Sequence, residues 1–192
     1  MSQYIQLHLL TSYPPSNLNR DDLGRPKTAV LGGKQRLRVS SQCLKRRWRT
    51  SDLFTQALGN HMGTRTKEMG RHIYQRLRDE GVEDEHAEDW AEEIIDQFGK
   101  RKRSRKDNPR RNLELEQLAH FSPEEREAIN DLVETLAEEE RAPSDDELEL
   151  LRNTHKAVDI GMFGRMMADD KEYNADAAVQ VAHAVTVHEA EV

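Results

Sequence analysis

Apolar and polar positions alternate along residues 4–11, YIQLHLLT. Ile5, Leu7 and Leu9 share one face and Gln6 and His8 the other, the period-two pattern of a half-buried strand. Residues 12–33 carry Pro14, Pro15, Gly24, Pro26, Gly32 and Gly33 and are expected to form a long loop. Residues 34–39, KQRLRV, alternate again, with Gln35, Leu37 and Val39 on one face and Lys34, Arg36 and Arg38 on the other. The period then lengthens. Leu44, Trp48, Ser51, Phe54 and Leu58 recur at steps of three or four, which predicts one helix to about Leu58 with a buried stripe, capped by the hydroxyl of Ser40 or Ser41. Gln42, Lys45, Arg46 and Arg49 fall at i, i+3, i+4 and i+7, so they share a second, cationic face of that helix.

Residues 64–79, 84–98, 113–120, 123–140 and 144–156 read as helices. Ser122-Pro-Glu-Glu and Ser144-Asp-Asp-Glu are start signals, a capping serine followed by carboxylates on the positive end of the helix. Between these helices lies the run 100–111, KRKRSRKDNPRR, with eight Lys/Arg and one Asp, read as a basic loop. Residues 156–163, KAVDIGMF, read as a short strand, and a polar loop follows from Gly164. Asn174 is placed to cap a short helix over 175–182, and HAVTVHEAEV reads as a strand. Strand, helix and strand interrupted by a helical insert make an α+β domain. Its strands are too few to close a sheet, so further strands are expected downstream.

Composition sharpens this picture. Hydrophobic residues make up 35% and charged residues 34% of 192, so the core is thin for the length. No apolar run approaches the roughly 20 residues of a membrane span. The single cysteine, Cys43, makes neither an internal disulfide nor a zinc site, and a cytoplasmic protein is expected. The net charge of −7 is segregated. Residues 1–50 hold ten Lys/Arg against two Asp/Glu, a balance of +8, which leaves the other 142 residues at −15. A basic block in an acidic chain points to a polyanion at that segment.

The run SNLNRDD (16–22), the loop to LGGK (31–34) and RLRVSSQCLKRRWR (36–49) closely resemble the N-terminus of the CasC family. VDIGMFGRM (158–166) and VAHAVTVH (181–188) match two further family segments in the right order. The resemblance covers residues 1–50 and 155–192; the insert matches only in character. It implies a backbone subunit of the type I-E CRISPR Cascade complex. The implied fold is an RRM-like (ferredoxin-like) palm, residues 1–58 and 156–192, incomplete in this chain, with helical fingers inserted at 59–155. Such subunits stack in several copies along a CRISPR RNA, beside other Cascade subunits, and present its bases to target DNA. Protein of this kind reads backbone and shape, while base pairing reads sequence.

By motif position, Arg20, Lys27, Ser40, Gln42, Lys45, Arg49 and Met166 form the implied RNA-contacting set, and the charge pattern adds Lys34 and Arg46. Lys45 and Arg49 stand one turn apart, spaced for successive phosphates, and Ser40 and Gln42 lie at a helix N-terminus, which favours anions. Met166 is a flexible apolar group suited to wedging against a base. Lys100, Arg101, Lys102, Arg103, Arg105 and Lys106 are secondary candidates for DNA. The bland readings are a solvated helix face for Lys45 and Arg49, a core position for Met166 and a solvated loop for 100–111. His183 and His188 are read as structural, and no cofactor or metal is expected. Asp21 and Asp22 are loop caps or, in the rival reading, carboxylates of a metal-dependent RNA endonuclease like that of type III backbone subunits. No nucleophile constellation or phosphate-binding glycine loop supports other chemistry, so the chain is expected not to be an enzyme.

Overall fold

A computed structural model describes residues 3–150, 157–167 and 174–191. The chain divides into two compact units, residues 1–47 with 181–192, and residues 48–180.

In the first unit, β1 (Thr28–Leu31) and β2 (Lys34–Val39) form an antiparallel hairpin, Leu31 opposite Lys34 and Thr28 opposite Leu37. Gly32 and Gly33 make the two-residue turn with φ of 63° and 73°, the left-handed pair that matches strand twist. The other edge of β2 pairs with β5 (Ala184–Val185), Arg38 opposite Val185, so the sheet order is β1-β2-β5. The loop expected over 12–33 thus ends early, because its last residues fold back on β2. The strand expected at 4–11 is not formed. Tyr4, Ile5, Leu7, Leu9 and Leu10 are 77–91% exposed, since no described strand offers them a ladder or a face to bury.

Helix α1 (Ser41–Arg49) begins in the first unit and ends in the second. The Ser40 hydroxyl accepts the N–H of Cys43, as the capping pattern predicts. The helix does not continue to Leu58. Ser51 leaves the helical region (φ −78°, ψ 145°) and caps a new one, α2 (Asp52–Leu58), accepting the N–H of Phe54. Serine followed by aspartate is a start signal strong enough to split the expected helix. The apolar stripe is half-buried rather than buried: Trp48 is 39% exposed.

The second unit holds the main core. β3 (Thr64–Thr66) pairs antiparallel with β4 (Ala119–Phe121), and α3 (Met69–Asp79), α4 (Asp84–Asp96) and α5 (Pro123–Glu139) pack against each other and the ribbon. Ile73, Leu77, Ile94, Ile95, Leu113, Phe121 and Leu136 are fully buried there. α6 (Asp145–Leu150) and α7 (Val158–Phe163) complete the unit.

Four more segments fold differently from the pattern of their residues. The helix expected at 64–79 starts only at Met69, because Thr64–Thr66 pair with β4. Residues 113–120 are not a helix: Pro109–Leu113 form a 3-10 turn, Leu115 donates its N–H to Lys67 O at 2.9 Å, and 119–121 are β4. Residues 158–163 are a helix, not a strand; Asp159, Ile160 and Phe163 are buried together at helical spacing, and six residues are too few for periodicity alone to decide. Residues 175–182 form no helix; Asn174 Oδ1 instead accepts the N–H of Met167. The end of the helix expected over 144–156 and the middle of the loop after Gly164 lie outside the described residues.

Candidate nucleic-acid interface

The basic block of the first unit is organised around Asn19, an uncharged residue whose side chain and backbone carbonyl both accept hydrogen bonds. Asn19 Oδ1 accepts the N–H of Ser40 at 2.9 Å, and Asn19 O accepts the N–H of Lys27 at 2.8 Å. Lys27 O in turn accepts the N–H of Arg38. Residues 19–27 are therefore a hairpin-like loop, closed by an Arg20–Pro26 bridge and tied to both β2 and the start of α1. Arg20 and Lys27 ride on this loop; Ser40 is buried at its junction, where its hydroxyl caps α1. Gln42 sits on the exposed first turn, within 3.4 Å of the Ser41 hydroxyl. Lys45 and Arg46 follow on the same helix, half-buried and exposed.

Lys34 pairs with Glu189 at 2.9 Å, an exposed contact worth little in water and open to exchange for another anion. Arg36 donates to Thr186 O, which fastens the C-terminal strand to β2. Ser41 donates its N–H to His183 Nδ1, so His183 occupies the first turn of α1 rather than a metal site. Asp21 is a loop cap: its Oδ1 accepts the N–H groups of Leu23 and Arg25, both at 2.9 Å. These bonds, the Arg25 N–H first, hold its carboxyl below the usual range. Asp22 is exposed, and among the described residues no three His, Cys, Asp or Glu converge as metal ligands.

In the second unit, the Arg49 guanidinium lies 5.5 Å from the centre of the Phe163 ring, and Trp48 packs on the same ring at 6.3 Å. Met166 is 83% exposed, outside the core. The run 100–111 is braced rather than loose. Arg101 bridges Glu92 and Asp96, Lys102 pairs with Glu114 at 2.6 Å, and Arg110 pairs with Asp84 over the Tyr74 ring. Arg101 and Lys102 are half-buried parts of this frame, while Lys100, Arg103, Arg105 and Lys106 are exposed. Lys102, Arg103, Ser104, Arg105, Arg111 and Glu116 line an open recess of about 440 Å³.

Residues 5–192 match the family model for the CT1975-like protein. The chain belongs to the CT1975-like family. No curated protein matches it. Many chains of solved structures are similar to this CT1975-like chain, among them the following two. One, described as "CRISPR RNA-guided surveillance complex", is 30% identical with a TM-score of 0.73, over 92% of this chain and 56% of its own. The other, "CRISPR RNA-guided surveillance complex, pre-nicking", is 33% identical with a TM-score of 0.68, over 91% and 50%. The CT1975-like chain thus spans about half the length of these relatives.

Proposed function

We propose that the chain is a guide-RNA-binding backbone subunit of a CRISPR surveillance complex of the type I-E kind, and that it is not a nuclease. The observation that carries this reading is the tie through Asn19. The Asn19 side chain holds the start of α1 at Ser40, while the backbone carbonyls of Asn19 and Lys27 tie the basic loop to β2; Arg20, Lys27, Lys34, Gln42, Lys45 and Arg46 all belong to this one unit. The similarity to chains of RNA-guided surveillance complexes supports the same reading.

In this reading the first unit is the RNA-holding part of an RRM-like palm and the helical region is the fingers. Copies stack along the CRISPR RNA in the cytoplasm, beside other Cascade subunits, and the guide meets target DNA by pairing. Cations position the RNA backbone without reading bases. Arg49 and Met166 are further proposed RNA contacts, of a phosphate and of a base respectively. Asp21, occupied by two backbone N–H groups and the Arg25 side chain, acts as a loop cap rather than a metal ligand. No helix among the described residues is long and apolar enough to cross a membrane.

A salt titration of binding to single-stranded RNA tests the site. Lys45→Ala with Arg49→Ala is expected to flatten the log–log slope by roughly 1 to 1.5, at about 0.7 per phosphate contact. The loss should be alike for unrelated RNA sequences. An unchanged slope places the RNA elsewhere.

A further inference from the structure

Two buried polar pairs join consecutive parts of the second unit, and both involve His120. Its Nε2 lies 2.8 Å from Asp159 Oδ2 on α7, and its carbonyl accepts from Arg165 Nη1 at 3.1 Å. The same Arg165 nitrogen contacts both oxygens of Glu125, at 2.7 and 2.8 Å. Glu125 is itself held, because its Oε2 accepts the N–H of Ser122 while the Ser122 hydroxyl accepts the N–H of Glu125. This reciprocal cap is the N-terminus of the seventeen-residue α5. Arg165 is thus bolted to the capped N-terminus of a long helix, with its side chain 4% and that of Glu125 1% exposed.

The backbone of Arg165 is fixed as well. Its N–H and carbonyl exchange bonds with Ala175, at 3.0 and 2.9 Å, and Met167 donates its N–H to Asn174 Oδ1 at 2.6 Å. Met166 lies between these two anchored residues and is 83% exposed. An exposed apolar side chain between two immobilised neighbours contributes nothing to the core. Nor is the pair beneath it needed for stability alone, since apolar residues of like volume are often as stable as a buried ion pair. What the ion pair adds is a fixed geometry.

We propose that Arg165 and Glu125 are positioning residues that hold Met166 in place against the RNA. The proposal rests on the reading of Met166 as an RNA contact and adds the device that presents it. Arginine serves here because its delocalised guanidinium is always charged and more weakly hydrated than a lysine ammonium, which suits a pair that is almost fully buried.

The test is a double-mutant cycle on the complete protein, with a labelled single-stranded RNA of mixed sequence as the probe. Met166→Ala is expected to weaken binding roughly 3- to 10-fold, and Arg165→Lys by a similar factor. Combining them should weaken binding no further than Met166→Ala alone, because Arg165 acts through Met166. RNA carrying 2-aminopurine adds a second readout: the fluorescence rise on unstacking should fall equally in all three variants. Additive losses make Arg165 a merely structural residue and overturn the proposal, as does full affinity in Arg165→Lys. If circular dichroism shows Arg165→Lys unfolded, Arg165→Met with Glu125→Gln removes both charges together and takes its place in the cycle. An unchanged affinity in Met166→Ala overturns the proposal through its premise, while the Lys45/Arg49 salt slope still reports separately on the RNA reading.

Discussion

Asp159 is a buried carboxylate on a short helix, and its charge is maintained by its neighbours. Burial pushes its carboxyl up, but the bonds from His120 and from the Gly63 N–H outweigh that and hold it below the ordinary 3.8. A group depressed in this way stabilises the fold at every pH above its unfolded value. That contribution is lost as pH falls below about 3.8 and through the lower folded value. Asp159→Asn is expected to cost about 1–3 kcal/mol at neutral pH, the usual range when a buried polar group loses its hydrogen-bond partner. It should also flatten the acid limb of stability below about pH 4. Thermal melts of both proteins from pH 7 to pH 3 check it; parallel acid limbs would show that the charge of Asp159 contributes nothing. No local pattern reveals its burial: residues 156–163 read as a short strand in the sequence, and the structure makes 158–163 a helix.

At the scale of elements, α3 shows a conflict between propensity and packing. An alanine at Gly70 would favour the helix by about 1 kcal/mol in isolation. In the fold, a Cβ there would stand 2.5 Å from the Leu113 carbonyl oxygen, which belongs to backbone and cannot swing aside. Packing wins in this position. Gly70→Ala is expected to destabilise the protein by about 1–3 kcal/mol, the range for overfilled cores, read as a lower urea midpoint at unchanged slope. Elements specified by their own residues were legible beforehand. The Ser122–Glu125 cap of α5 and the β2 strand are where their patterns place them, because a capping box and a six-residue alternation are local devices. The split at Ser51 was also local, yet the continuing three-and-four spacing of apolar residues masks it. Strand β4 was not legible, since AHF becomes a strand only through Thr64–Thr66, more than fifty residues earlier.

At the scale of the molecule, charge is used in two ways. Arg101 and Lys102 brace the second unit, whereas Arg103 and Arg105 are exposed at the recess. Arg103→Ala with Arg105→Ala is therefore expected to change stability by no more than about 0.5 kcal/mol. It should weaken binding to duplex DNA more than binding to guide RNA. Arg101→Ala should do the opposite and lower the melting temperature. Native gel shifts beside thermal melts separate the two. Incubation with Mg²⁺ or Mn²⁺ and labelled single-stranded RNA should leave the RNA intact; cleavage abolished by Asp21→Ala or Asp22→Ala would establish the rival endonuclease.

The sequence by itself determined where the net positive block lies, in the first fifty residues with seven of their ten Lys/Arg in the β2–α1 segment, and the family motifs at both ends. Those features depend on neighbours within a few residues, and short-range order is set by short-range chemistry. Only the tertiary structure decided which charges are structural and which are exposed. Lys102 and Arg103 are adjacent in the chain and indistinguishable by pattern, but one meets Glu114 and the other faces solvent. The role of Asn19, the His183 contact to α1 and the Arg165–Glu125 bolt were likewise invisible beforehand. Each joins residues between 21 and 142 positions apart, and a hydrogen bond across such a separation is fixed by how the whole chain packs.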